Sequence, residues 1–233
     1  MTLLRHLLEP KRALLAWQSS RTDSSRRRWD VAELLRNDTT PASPVELHYL
    51  SREHLAGAIA EGFSGYPAFS MKQPVHGQDV LATFMLRLPP RRRPDFSKYL
   101  DAYLIAPDAQ FTDFALLAAT EGRLPSDGFS VVNPLDEVAS AAEFVIEAAG
   151  IRHVSTPVQV ELGKAVEFRP EPENKNDPNA IAIFSGPSKL GYINRLQTAA
   201  FHRWIAQARV TARVEKTNGT PERPRVILHV VVE

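Results

Sequence analysis

From Ala142 onward the chain breaks into short apolar runs, each bounded by Gly, Pro, Asn or Asp. Phe144–Ala149, Val158–Val160, Ala165–Phe168, Ala180–Phe184 and Leu190–Ile193 are too short to be stable helices and are rich in residues that favour strands. Phe144–Ala149 also fits a helical period through Ala141, Phe144, Val145 and Ala148, but Gly150 and the neighbouring strands favour β. Two longer β-branched runs, Val210–Val214 and Val226–Val232, close the chain. Asn218-Gly219 between them is a hairpin signal, although the connection to Pro224 is longer than a two-residue turn. One amphipathic helix intervenes, with Leu196, Ala200, Trp204 and Ile205 on one face. Such a pattern reads as a β-rich region with one helix.

The first half mixes both periods. Strands are expected at Ala13–Trp17, around Trp29, Val31 and Leu34, and at Leu47–Tyr49, with a turn-rich stretch from Asn37 to Pro44. Ser51 is an N-cap for a helix carrying Leu55, Ala58, Ile59 and Phe63, and Gly62 is its stop. An apolar run from Val80 to Leu88 ends in Pro89-Pro-Arg-Arg-Arg-Pro94. Asp95 caps a second helix with a stripe of Phe96, Tyr99, Leu100, Tyr103 and Leu104, ended by Pro107. Thr112 caps a third through Leu116, Leu117 and Thr120, with Gly122 at its end, and Gly128–Val132 reads as a strand. A boundary near Asp136–Ser140 divides the chain into an α+β domain, residues 1–137, and a β-rich domain with one main helix, residues 138–233.

Composition excludes several function classes. With 43% hydrophobic residues the chain has the apolar content to order itself. Lys and Arg number 28 against 27 Asp and Glu, a net charge of +1, so bulk electrostatic attraction to nucleic acid or membrane is not expected, though a local basic patch is allowed. The absence of cysteine excludes disulfides, thiolate catalysis and Cys-ligated zinc. No apolar run is long enough to span a membrane, and Arg5, His6, Glu9, Pro10, Lys11 and Arg12 interrupt the leucines at the start, so a cytoplasmic location is expected. The seven histidines lack ligand-pair spacing, and neither a metal nor a cofactor is expected. Gly62-Phe-Ser-Gly65 lacks the form of a nucleophile elbow, and Gly186-Pro-Ser-Lys-Leu-Gly191 is a hairpin turn rather than a phosphate loop. These readings favour a protein without an active site.

The segment Arg169-Pro-Glu-Pro-Glu-Asn-Lys-Asn-Asp-Pro-Asn-Ala-Ile-Ala-Ile183 is the most informative. It reads as strand, loop, strand, with Asn and Asp side chains able to bond nearby amides and fix the loop. It is longer than a simple hairpin requires, which suggests recognition. Together with Gly150-Ile-Arg-His153 and Lys189-Leu-Gly-Tyr-Ile-Asn-Arg195, in this order, it resembles the HIRAN domain over roughly the last ninety residues. The resemblance implies an OB-like β-barrel with a helix. It also implies binding of single-stranded DNA, whose three-prime end the domain captures in eukaryotic helicase-like factors. Carried over onto this sequence, it places Arg152 and His153 where the family has Arg and an aromatic. Asn176 and Asp177 stand where it often has Tyr-Asp, and Tyr192 and Arg195 where it has an aromatic or His and then a base. Arg152 and Arg195 suit phosphate contacts, Asp177 a sugar hydroxyl, and Tyr192 and His153 base stacking. Val154 and Asn176 stand where aromatics would be expected, so the stacking platform is depleted.

A second likeness covers the first half. Trp17, Arg26–Trp29, Val31–Leu34, Glu46–Leu50, Ala82-Thr-Phe-Met-Leu-Arg-Leu-Pro89 and Asp113–Leu117 through Asp127-Gly-Phe129 are similar to the N-terminal subdomain of HipA-type kinases. No kinase core follows. This likeness implies an interaction module, and with it an alternative role as an antitoxin-like subunit that binds and inhibits a HipA-type kinase. The runs Arg26–Arg28 and Arg91–Arg93 read as solvated loops, and Trp17, Trp29, Phe96, Tyr99, Tyr103 and Trp204 as core. The leading expectation is non-enzymatic binding of single-stranded or end-containing DNA.

Overall fold

The chain opens with a three-residue strand, β1 (Leu4–His6), and then enters the apolar run that forms β2 (Arg12–Gln18). The computed structural model describes residues 2–20, 27–124, 127–151, 160–220 and 223–233. It is mixed α+β and divides into two compact units, His6–Tyr99 with Ala109–Pro134, and Met1–Arg5 with Leu100–Asp108 and Leu135–Glu233. Among the described residues no helix is long and apolar enough to cross a membrane.

In the first of these units β2 lies inside an antiparallel sheet with β3 (Arg28–Arg36), β4 (Val45–Tyr49), the two-residue β5 (Val75–His76) and β7 (Phe129–Val132), in the order β5-β4-β3-β2-β7. Three helices accompany it: α1 (Arg52–Ala60), α2 (Val80–Met85) and α4 (Asp113–Thr120). Of the three expected caps, Ser51 and Thr112 bond through their side chains. The Ser51 hydroxyl accepts from the His54 amide at 3.2 Å and the Thr112 hydroxyl from the Ala115 amide at 3.1 Å, each satisfying a donor that the first helical turn leaves free. The apolar run at Val80 folds as a helix with Val80 and Phe84 buried. Phe63, Phe84 and Phe129 meet Trp17, Tyr49 and Tyr66 in one aromatic cluster.

Two arginines are buried in this unit and fully engaged. Arg87 donates to the carbonyls of Gly122 and Phe129 and makes a paired contact with Asp127 at 2.9 and 2.8 Å. Arg36 donates to the Pro10 carbonyl and to Glu9, whose carboxylate also accepts from the Thr112 amide and hydroxyl. A buried cation is tolerable only when its donors are matched in this way.

The helix α3 (Phe96–Ala102) ends earlier than its sequence stripe suggests. Tyr103 and Leu104 lie beyond it, Leu104 turns the chain at φ 57°, and Pro107, the expected stop, sits inside β6 (Ile105–Gln110), which pairs with β1.

The C-terminal region is β-rich with one main helix, α5 (Thr198–Ala206). It contains two three-stranded antiparallel sheets. One is β9 (Glu167–Pro170), β10 (Ile181–Ser185) and β11 (Ser188–Tyr192), in the order β11-β10-β9. The other is β8 (Ala142–Glu147), β12 (Val210–Thr220) and β13 (Arg223–Val232), in the order β12-β13-β8. Two seams join them. Ala149 and Tyr192 exchange both backbone bonds at 2.8 Å, and Ala165 bridges Arg213, with Val166 donating to the Ala212 carbonyl at 3.0 Å. The strands therefore close into a barrel around Phe144, Ile146, Ile181, Ile183, Leu190, Val214, Leu228 and Val230, under Phe201 and Trp204 of α5.

The hairpin expected between the last two strands is present, β12 pairing antiparallel with β13, but its turn is not at Asn218-Gly219. Both residues belong to the ladder, opposite Arg225 and Pro224, and the last pair is Thr220 with Arg223. The register follows the apolar pairing of Val214 with Leu228 and the irregularity between Val214 and Lys216, which outweigh the local turn preference. The expected strand Val158–Val160 lies almost wholly outside the described residues.

Candidate functional site

The loop from Glu171 to Ala180 connects β9 to β10, and its own polar side chains shape it. The Glu171 amide donates to the Ala180 carbonyl at 2.8 Å and closes the neck. Asn174 Oδ1 accepts from the amides of Asn176 and Asp177, at 3.0 and 3.3 Å. Asp177 Oδ1 accepts from the Asn179 amide at 3.0 Å. These are the bonds by which short polar side chains replace a ladder. Asn176 is left exposed at the rim and Asp177 is partly covered.

Two charged clusters flank this loop. On one side Arg195 Nε lies 3.5 Å from Asp177 Oδ2. Arg195 opens a 3₁₀ turn, Arg195–Gln197, capped by Asn194 Oδ1 accepting from the Leu196 amide at 3.2 Å. On the other side Lys189 Nζ donates to Glu171 Oε1 at 2.7 Å and to the Tyr192 hydroxyl at 2.6 Å. Tyr192 in turn donates to Glu171 Oε2 at 3.2 Å, which also accepts from Asn174 Nδ2 at 2.9 Å. The Lys189 ammonium stands 4.1 Å from the centre of the Tyr192 ring.

The electrostatics follow from these partners. Partial burial works to raise the Glu171 carboxyl, but bonds from Lys189, Asn174 and Tyr192 and the charge of Lys189 outweigh it and hold the group below its usual range. Partial burial works to lower the Lys189 ammonium, and its bonds to Glu171 and Tyr192 outweigh that and hold it above its usual range. At neutral pH the cluster is thus a fixed carboxylate–ammonium pair with a phenol between them.

Gly191 makes the arrangement possible. Its φ is 136°, and a Cβ there would lie 2.5 Å from the Ala149 carbonyl oxygen. The neighbouring Tyr192 can therefore join the seam through its backbone while its hydroxyl reaches the loop.

Of the expected site residues, the fold brings Asn176, Asp177, Tyr192 and Arg195 around one loop. Arg152 and His153 lie outside the described residues, as does Val154. Sequence reasoning passed over Glu171, Asn174 and Lys189 as individual actors, although all three fall inside the motifs that carried the resemblance. Strict alternation along β11 would set Lys189 and Tyr192, three residues apart, on opposite sides; the register shift brings them to the same side, and no sequence signal announces it. Among the described residues no group of three His, Cys, Asp or Glu side chains is placed to hold a metal.

Of the basic runs, Arg91 pairs with Asp113 at 2.6 Å and Arg93 with Asp95 at 2.6 Å, each about half exposed. Arg27 lies 4.3 Å over the Trp29 ring, and Arg26 is outside the described residues.

Comparison with known proteins bears on the C-terminal region. Residues 142–233 match the family model of the HIRAN domain. Among solved structures the chain is similar to the HIRAN domain of human HLTF, with 17% identity, 39% of this chain and 74% of that chain covered, and a TM-score of 0.33. It is also similar to a protein from Lactobacillus plantarum, with 23% identity, 40% of this chain and 100% of that chain covered, and a TM-score of 0.32. No curated protein matches. The likeness of the first half to the HipA N-terminal subdomain, and the toxin–antitoxin role it implied, gain no support from these comparisons.

Proposed function

Residues 142–233 being a HIRAN domain, we propose that this region is a non-enzymatic recognition module for single-stranded DNA or a DNA strand with a free end. The observation that carries the reading is the placement of Asp177 and Arg195, 3.5 Å apart, beside a loop whose shape is fixed before any ligand arrives. Asp177 spends one oxygen on the Asn179 amide and turns the other toward Arg195. A carboxylate alone repels a phosphate. With a guanidinium beside it, the same group accepts from a sugar hydroxyl while the guanidinium donates to the adjoining phosphate. That pairing of acceptor and cation suits a terminal nucleotide, where hydroxyl and phosphate sit side by side. Tyr192 offers the ring for the terminal base; Arg152 and His153, outside the described residues, are assigned by the family resemblance alone.

Fluorescence anisotropy with a labelled oligothymidine tests this. Replacing Arg152 and Arg195 together with Ala is expected to weaken binding and to reduce the slope of log affinity against log salt by about 1.4, at about 0.7 per phosphate contact for single strands. A strand whose terminal hydroxyl is replaced by phosphate is expected to bind the parent less tightly. A double variant that binds like the parent at every salt concentration rejects the assigned residues.

A further inference from the structure

The outer face of β9, β10 and β11 carries aromatic and cationic side chains in two rows. The register sets Arg169, Ala182 and Tyr192 side by side in one row, and Glu167, Phe184 and Lys189 in the next. The intervening residues Ile181, Ile183 and Leu190 point the other way and are fully buried. On the outer face the Arg169 guanidinium lies 4.3 Å over the partly buried Phe184 ring, and Lys189 stands 5.9 Å from Phe184 and 4.1 Å from Tyr192. The rows are two residues apart along the strands, about 6.6 Å.

The charge on this face is balanced. Arg169 pairs with Glu167 at 2.6 Å and Lys189 with Glu171 at 2.7 Å. With both cations engaged by neighbouring carboxylates, what this surface offers is flat π faces and neutralised charge, which suits bases.

We propose that Phe184, covered by Arg169, is a second base-stacking step that takes a nucleotide adjacent to the one held at Tyr192. This rests on the reading of the domain as a single-strand binder and deepens it: the occupant is a nucleobase, recognised by stacking and without base-edge selectivity. The rings expected from the family at residues 154 and 176 are missing, and this face supplies rings from a different strand. Among the described residues no hydrogen bond, ion pair or ring contact links Phe184 to Asp177 or Arg195, so the two steps are separable by mutation.

Anisotropy on the full chain tests the inference, using labelled oligothymidines of two and of roughly eight nucleotides. Phe184→Leu is expected to lower affinity for both strands about tenfold, since the second base of the dinucleotide already reaches that ring, with Phe184→Tyr restoring the parent value. An abasic position walked along the longer strand should cost the parent the same factor at one position and cost Phe184→Leu nothing there. Arg169→Gln, at an exposed side chain, should lower affinity for the longer strand severalfold, and it carries the test if Phe184→Leu does not fold. A folded Phe184→Leu chain that binds the longer strand like the parent overturns the inference and leaves the end-binding reading intact. A parent chain that binds neither oligonucleotide overturns both.

Discussion

Replacing Gly191 with Ala should open the barrel at the seam between β8 and β11. Two costs combine. The backbone at Gly191 has φ 136°, a region closed to residues with a Cβ, and holding Ala there costs about 1–3 kcal/mol. The added carbon would also meet the Ala149 carbonyl oxygen at 2.5 Å, against backbone rather than a movable side chain, so the chain must part there. Parting loses the two bonds exchanged by Ala149 and Tyr192, each about 0.5–1.5 kcal/mol. The sum is about 2–6 kcal/mol, a large fraction of the roughly 5–15 kcal/mol that holds a domain folded. Gly186 is the control. Its φ is 56° but nothing lies within 4 Å of a Cβ there, so Gly186→Ala carries conformational strain alone, about 1–2 kcal/mol. A urea titration read by hydrogen-exchange mass spectrometry lets residues 142–233 report separately from the other unit. Taking a loss of about 4 kcal/mol and a slope of about 2 kcal/mol per molar, the midpoint should fall by about 2 M for Gly191→Ala. Equal shifts for the two variants would refute the claim that close backbone approach, rather than glycine's φ alone, fixes this position.

Arg87→Met strips the Gly122 and Phe129 carbonyls and the Asp127 carboxylate of their shared donor, and should cost about 3 kcal/mol by thermal or urea unfolding of the first-half unit. Partial burial works to raise the Asp127 carboxyl, but bonds from Arg87 and the Phe129 amide outweigh it and hold it below the usual value, so its stabilisation is complete above the unfolded value of about 3.9 and is lost as pH falls through the lower folded value. Unfolding measured from pH 5 downward should show that loss in the parent and a smaller one in Arg87→Met. Glu171→Gln removes the carboxylate that neutralises Lys189 and should raise DNA affinity severalfold, steepening the salt dependence by about 0.7, as one more phosphate contact becomes available. Unchanged affinity and slope in anisotropy would place Lys189 outside the path of the strand.

Local chemistry was legible where it alone decides the conformation. Ser51 and Thr112 announce helix starts because a hydroxyl before a helical period has one favoured use. Gly186-Pro187 announces the turn between β10 and β11 because the pair Ser185 and Ser188 needs a residue at positive φ between them. Asn218-Gly219 announced the hairpin but not the place of its turn, because turn preference is a local quantity, while the register of β12 on β13 is set by many apolar pairs acting together. Pro107 misled for a related reason: the helix had already ended when Leu104 reversed the chain. The residues around Asp177 could be nominated from their motifs, but their mutual distances could not. The row of Glu167, Phe184 and Lys189 was invisible, since its members come from three strands and meet only after a register shift between Ile183 and Phe184.

Tyr192 holds two offices at once. Its main chain stitches β11 to Ala149, and its phenol sits between Lys189 and Glu171. A molecule that grips that ring therefore also resists fraying of the stitch, and mass action makes the reverse equally true. Occupancy should raise the melting temperature of residues 142–233 in proportion to the logarithm of ligand concentration. Any change that loosens the stitch should weaken the grip, even when it touches no ligand.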